Sequence, residues 1–148
     1  MQFIATSLIE APPERVFAFH ELPDAVARLT PQWIRARVLA QPASLRPGSR
    51  TILDIRIAPF LWIRNEGVHT IYEPPFLFAD RQERGPFRSW LHRHDIAREG
   101  KGSRLTDTIE FEPPFGFLGR ACAPLLILPR LRKLFAYRHE VTRAWCER

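Results

Sequence analysis

The sequence has few of the residues that build metal clusters, disulfide frameworks or membrane spans. Its two cysteines, Cys122 and Cys146, lie far apart and form no CxxC pair, so neither a structural zinc site nor a required disulfide is expected. The longest apolar run, residues 121–129, is interrupted by Pro124 and is much shorter than a membrane span. The stretch MQFIATSLIE has an early glutamate and no long apolar core. No signal peptide is therefore expected, and the predicted location is cytoplasmic.

Lysine is nearly absent, although the chain is basic. The formal net charge is +6, and only Lys101 and Lys133 are lysines among 22 basic residues. The arginines are spread along the chain instead of forming one stripe, so no nucleic acid partner is expected. Residues 115–133 combine many apolar side chains with Arg120, Arg130, Arg132 and Lys133, which leaves open a weak contact with an anionic membrane. The chain has no phosphate-binding loop, no HExxH motif and no nucleophilic serine in a strained turn.

The order of apolar patterns and turn signals predicts an α+β fold in one domain, residues 1–148. A first strand over residues 3–9 is followed by two short helices, which begin near Pro12 and Leu22. Alternating apolar positions then predict a meander of strands, and the C-terminal part has helical spacing. The predicted strands cover residues 35–40, 50–58, 61–73, 76–84, 87–98 and 103–112, and the predicted helix covers residues 117–148. We expect a curved antiparallel sheet of about six to seven strands wrapped around a long C-terminal helix.

Two prolines fall inside the predicted C-terminal helix. Pro124 and Pro129 each remove a backbone donor and clash with the preceding turn, at a cost of about 3 kcal/mol in a helix interior. We therefore expect a kink, a late start or a break near these residues. A continuous helix is expected from about Pro129 onward, because proline fits a first turn.

The stretch GPFRSWLHRHD, residues 85–95, predicts the inner face of a strand. Residues two apart share a face, so Trp90, His92 and His94 point the same way. A four-residue turn over residues 99–102 places His94 opposite Asp107, and matches Ile109 and Phe111 with inward positions. The preceding strand brings Phe78, Asp80 and Gln82 to the same side. The sequence thus predicts an apolar pocket with a polar end, and its candidate ligand-binding residues are Phe78, Asp80, Gln82, Trp90, His92, His94, Asp107, Ile109 and Phe111.

The element order resembles that of the START-like or helix-grip superfamily, also called SRPBCC. Beyond the topology, the pattern Asp80-Arg81-Gln82, Gly85-Pro86-Phe87, Trp90, His92, His94 is similar to that of a bacterial branch. The similarity continues through Thr106-Asp107, Pro114, Gly116 and Leu118-Gly119 to Phe135-Ala136-Tyr137-Arg138. Members of this branch are labelled polyketide cyclase/dehydrase-like or simply ligand-binding. The resemblance implies a cavity for apolar small molecules between sheet and helix, and a few members of the superfamily catalyse cyclisation or dehydration there.

These observations lead to one main functional hypothesis and several alternatives. We expect the binding or transport of a hydrophobic small molecule, such as a lipid, a polyketide or an isoprenoid-like compound, without a cofactor. The alternative is a cyclase or dehydratase in which His94 and Asp107 act as the catalytic pair. A further alternative is a peripheral lipid-surface protein. A metal site is not expected, although the two histidines with Asp107 would supply three ligands.

Overall fold

A curved antiparallel sheet of seven strands forms most of the structure, a computed structural model that describes residues 1–148. The sequence folds in the predicted order of one strand, two short helices and six strands, and two helices follow where one long helix was predicted. The elements are β1 (Gln2–Ile9), α1 (Pro13–His20), α2 (Ala25–Arg28), β2 (Ala36–Ala40), β3 (Arg50–Ala58), β4 (Leu61–Glu73), β5 (Leu77–Arg84), β6 (Ser89–Glu99), β7 (Gly102–Glu112), α3 (Gly116–Leu126) and α4 (Leu128–Cys146).

The strands are ordered β1-β7-β6-β5-β4-β3-β2, and every neighbouring pair is antiparallel. Five of the six pairs are therefore sequence neighbours, and β1 joins the far end beside β7. Helix α4 packs on β1 and on α1, so it covers only one end of the inner face of the sheet. The predicted α+β helix-grip arrangement is confirmed.

The pairing of β6 with β7 has the register that was predicted from the sequence. Trp90 lies opposite Phe111, His92 opposite Ile109, and His94 opposite Asp107. The turn itself is shorter than expected, because Glu99 and Gly102 still pair and only residues 100 and 101 connect the strands. Gly100 has a φ of 57°, a left-handed conformation that glycine adopts at little cost.

The C-terminal segment is two helices instead of one long helix. Pro124 lies inside α3, and this helix ends two residues later at Leu126. Helix α4 then begins at Leu128, with Pro129 in its first turn, where a missing N–H breaks no helical hydrogen bond. The expected break near the two prolines is therefore confirmed. None of the helices combines the length and the apolar character that crossing a bilayer would require.

A polar layer divides the interior into two apolar clusters. One cluster joins α1 to the sheet through residues such as Phe17, Phe78 and Ile96. The other joins α4 to the sheet and contains Ile109, Phe111, Leu131 and Phe135. Along β6 and β7 the side chains between these clusters are two histidines and an aspartate. The same alternation that buries the apolar residues also buries this polar layer.

Candidate functional site

A cavity of about 310 Å³ lies between the inner face of the sheet and the helices. Its volume is at the lower end of the range of small-molecule sites. Hydrophobic residues make up 14 of the 27 that line it, so the cavity has apolar walls and also several polar groups. The apolar wall is formed by Val26 of α2, Leu29 just after α2, Leu53 and Ile55 of β3, and Leu131 of α4.

Asp107 is the centre of the polar layer, and three histidines surround its carboxylate. Nε2 of His92 donates to Oδ1 over 2.9 Å, and Nε2 of His139 donates to Oδ2 over 2.6 Å. Nδ1 of His94 is 2.6 Å from Oδ1, but it is not aligned for a hydrogen bond. His139 is held in turn by Ser7, whose Oγ is 2.7 Å from Nδ1. Asp107 is 3% exposed, so these partners replace water around its charge.

Asp80 stands on the cavity side of the same histidines. Its Oδ2 is 3.8 Å from Nδ1 of His92 and 3.6 Å from Nε2 of His94. The two imidazole rings therefore lie between two carboxylates, one facing the cavity and one facing the core. Their ring centroids are 3.8 Å apart, and His94 also stacks on Phe78 at 4.0 Å.

The charges of this cluster follow from burial and from the facing carboxylates. Burial penalises the charged form of His94, but Asp107 and Asp80 outweigh it and raise its pKa to about 9. Burial, with the charge of His94, lowers the pKa of His92. Burial opposes ionisation of Asp107, yet the charge of His94 and the hydrogen bonds from His139 and His92 hold its pKa well below the usual range. His94 carries a proton at neutral pH and is therefore a donor there, not a general base.

Two further histidines, His20 and His69, line the same cavity. Nδ1 of His20 donates to the carbonyl oxygen of Val16, and burial with the charge of His94 lowers its pKa to about 3. Burial also lowers the pKa of His69, and its Nδ1 has no hydrogen-bond partner. The strand pairing places His69 directly opposite Asp80. Both histidines are neutral at physiological pH and add polar surface without charge.

Six of the nine ligand-binding residues proposed from the sequence line the cavity. These are Phe78, Asp80, Gln82, Trp90, His92 and His94. The other three, Asp107, Ile109 and Phe111, lie behind the wall, although the sequence placed them in it. They sit on β7, where α4 covers the sheet, and Ile109 and Phe111 pack against Leu131 and Phe135. A ligand role for any of the nine stays a prediction.

Gln82 is largely committed to the protein backbone. Its Nε2 donates to the carbonyl oxygen of Phe87 over 2.7 Å, which fixes the turn between β5 and β6. Gly85 belongs to that turn, and a Cβ there would lie 2.2 Å from Oε1 of Gln82 and 2.5 Å from Oδ1 of Asn65. A side chain at position 85 would therefore displace the ends of Gln82 and Asn65 at this edge of the cavity.

The sequence reasoning missed His139 and Arg138, which are both on α4. His139 belongs to the buried stripe Leu131, Phe135, His139, Thr142 and Cys146, whose helical spacing was a usable signal. Arg138 lines the cavity and donates from Nε to the carbonyl oxygen of Leu29. Burial lowers its pKa, although the charges of Asp107 and Asp80 act in the opposite direction.

Comparisons with known proteins agree with the topology. A family described as polyketide cyclase/dehydrase and lipid transport matches residues 9–136. No curated protein matches the chain in sequence.

Solved structures similar to this chain include three bacterial proteins. One from Chromobacterium violaceum is 18% identical, with a TM-score of 0.75 and coverage of 99% of this chain and 97% of that one. One from Thermus thermophilus is 22% identical, with a TM-score of 0.68 and coverage of 97% and 98%. One from Mycobacterium smegmatis is 16% identical, with a TM-score of 0.67 and coverage of 97% and 88%. At these identities the likeness concerns the fold.

Proposed function

Since the chain belongs to the polyketide cyclase/dehydrase and lipid transport family, whose SRPBCC-type domains bind ligands, we propose that it holds a hydrophobic small molecule in the cavity. The observation that carries this proposal is the cavity of about 310 Å³, which combines apolar walls with the polar group of Asp80, His92 and His94. The apolar body of the ligand lies against α2, β3 and α4. Its polar end faces Asp80, His92 and His94.

The size and the lining limit the ligand class. A cavity of this volume encloses a compact molecule, such as a short lipid, an isoprenoid-like compound or a small aromatic polyketide. Leu53, Ile55 and Leu131 offer only van der Waals contacts, so the ligand needs few polar groups along its body. A hydroxyl or carbonyl group at one end gains hydrogen bonds that water supplies in the empty cavity.

The test is the identity and fate of bound ligand in two matched variants. Gly67 lines the cavity, and a Cβ there meets its nearest neighbour at 3.8 Å, so Gly67→Phe fills the cavity without a backbone clash. The control is Ile57→Phe, since Ile57 is 53% exposed on β3. Mass spectrometry of organic extracts and thermal shifts with fatty acids and aromatic polyketides measure binding. We expect binding in the control and its loss in Gly67→Phe.

Ligand binding by Gly67→Phe at the level of the control would contradict the proposal. If both variants retain the same ligand and the same thermal shifts, the ligand lies outside the cavity. The alternative of a cyclase or dehydratase that uses His94 as its base gains no support from the site, because His94 already carries a proton at neutral pH.

A second candidate function, contact with an anionic lipid surface, is favoured by the exposure of α3. Phe117, Leu118 and Leu125 on this helix are 79%, 58% and 81% exposed, and Ala123 is its only buried residue. Phe115, just before the helix, is 85% exposed. Such an apolar helix face is costly in water and is typical of a helix that enters a membrane interface.

The residues around α3 have the charge that an anionic surface attracts. Arg130, Arg132 and Lys133 follow the helix and lie outside the buried core, while Arg120 is paired with Glu112. Each free basic residue near an anionic bilayer contributes about 1 kcal/mol. We therefore infer that the protein contacts an anionic lipid surface through α3 and the basic residues that follow it.

Vesicle flotation separates this candidate from simple ligand binding. We expect the protein to float with phosphatidylglycerol vesicles at low salt, and not with phosphatidylcholine vesicles. Leu125→Glu abolishes flotation, whereas Leu8→Glu, at an exposed position of β1, does not. Equal flotation of both variants, or none with either lipid, would refute the membrane contact and leave the cavity proposal intact.

A further inference from the structure

Three side-chain atoms converge at the polar end of the cavity with the spacing of metal ligands. Oδ2 of Asp80 is 3.8 Å from Nδ1 of His92 and 3.6 Å from Nε2 of His94, and all three residues offer ligand atoms within 4.8 Å of one another. Hydrogen bonds between these groups would be about 2.7–3.2 Å long. Ligands of one tetrahedral zinc ion are about 3.3–3.4 Å apart, given bonds of about 2.0–2.1 Å. Small side-chain shifts would close the site.

The opposite sides of both imidazole rings meet a second carboxylate. Nε2 of His92 donates to Asp107, and Nδ1 of His94 is 2.6 Å from the same oxygen. Asp107 is itself fixed by His139. Metal-binding histidines almost always present their other ring nitrogen to a carboxylate, a carbonyl or water, which fixes the ring and its tautomer. Asp107 occupies that supporting place for two histidines at once.

The gap between the three atoms suits a divalent cation. When His92 donates from Nε2 to Asp107, its Nδ1 presents a lone pair to Oδ2 of Asp80. A metal ion at Nε2 of His94 displaces the proton that this nitrogen otherwise presents to Asp80. Lone pairs and an anionic oxygen then face one another inside a cavity with apolar walls. One proton relieves a single contact, whereas a divalent ion satisfies all three.

We propose that Asp80, His92 and His94 bind one divalent transition-metal ion, with its remaining coordination positions open to the cavity. Two imidazoles and one carboxylate suit zinc, cobalt or ferrous iron better than magnesium or calcium, which prefer oxygen ligands. From the sequence no metal site was expected, and Asp107 was the third ligand considered. The structure offers Asp80 in that place and puts Asp107 behind the rings. The metal would lie at the polar end of the cavity, beside the place proposed for the polar end of the ligand. Metal binding is measured without any apolar ligand, so its failure would leave the cavity proposal intact.

The test is metal binding by the whole chain after treatment with a chelator. Isothermal titration with ZnCl₂ measures stoichiometry and affinity, and CoCl₂ gives a visible ligand-field spectrum that reports the coordination geometry. We expect one equivalent bound. Asp80→Asn and His94→Gln each weaken binding at least about 100-fold, and Asp107→Asn weakens it about 10- to 100-fold.

The control is His20→Gln, which removes an imidazole from the same cavity but from outside the three-residue group. We expect its affinity to stay close to that of the unaltered protein. Circular dichroism melts show whether each variant is folded. If Asp80→Asn does not fold, the comparison of His94→Gln with His20→Gln tests the proposal. Three outcomes would overturn the proposal: no saturable binding, several equivalents unaffected by either variant, or equal loss in His20→Gln.

Discussion

Phe135 and Leu134 are neighbours on α4, yet the structure gives them opposite roles. Phe135 is 1% exposed and belongs to the apolar cluster with Ile109 and Phe111. Leu134 lines the cavity and is partly buried. Replacing each by alanine therefore tests whether α4 divides the interior into a packed core and an unfilled space.

The magnitudes follow from what each side chain contacts. Phe135 has its ring centroid 5.6 Å from that of Phe3 and 5.2 Å from that of His92, the latter edge to face at 88°. Removing a buried phenylalanine costs about 3–5 kcal/mol, because a cavity replaces packed atoms. Leu134→Ala enlarges a cavity that already exists and removes a side chain that is only partly buried. It should therefore lower the free energy of unfolding by only about 1 kcal/mol.

Urea unfolding followed by circular dichroism measures both values. A domain of this size has a free energy of unfolding of about 5–15 kcal/mol, so both variants should still fold. We expect Phe135→Ala to lose at least about 2 kcal/mol more than Leu134→Ala. If Leu134→Ala is the more damaging of the two, the boundary between core and cavity described above is misplaced.

Three further predictions concern a histidine, a glycine and the cysteines. Burial lowers the pKa of His20 from 6.5 to about 3. Between these pH values His20 is protonated in the unfolded chain but not in the folded one. The free energy of unfolding therefore falls as the pH falls through this range, by up to about 1.4 kcal/mol per pH unit. Urea titrations across this window should show a shallower pH slope in His20→Gln, and an unchanged slope would contradict the assignment. Gly119→Ala places a Cβ 1.8 Å from the carbonyl oxygen of Pro114, so α3 must shift, and the melting curve should show a loss of about 1–3 kcal/mol. No change in melting would mean that α3 is loosely held. Burial raises the pKa of Cys146 to about 11, so iodoacetamide should modify only the exposed Cys122 in the native protein. Peptide mass mapping locates the modified cysteine, and alkylation of Cys146 in the folded protein would contradict this prediction.

The fold was predictable because each element follows from a local pattern. Alternation indicated the strands, and proline and glycine marked their ends. The register of β6 and β7 followed from keeping Ile109 and Phe111 inward while His94 lies opposite Asp107. Pro124 and Pro129 within the helical pattern predicted a break, and the structure has one between α3 and α4.

The site was only partly predictable, because its walls come from elements that are distant in sequence. Alternation identified the inward residues of β5, β6 and β7, but not which of them α4 would cover. Asp107 therefore lies in the core and not in the cavity wall. His20 and His69 join the cavity from α1 and β4, where single histidines carry no local signal. Their place depends on the curvature of the sheet.

All five histidines of the chain lie inside the molecule, each at most 8% exposed. Arginine, lysine, aspartate and glutamate side chains on the outside keep their charges between about pH 5 and 8. The outer surface thus presents nearly constant charge to any partner across this range. For an NMR spectroscopist, all five imidazole signals become reporters of the cavity and its supporting layer, with no surface histidine to confuse them.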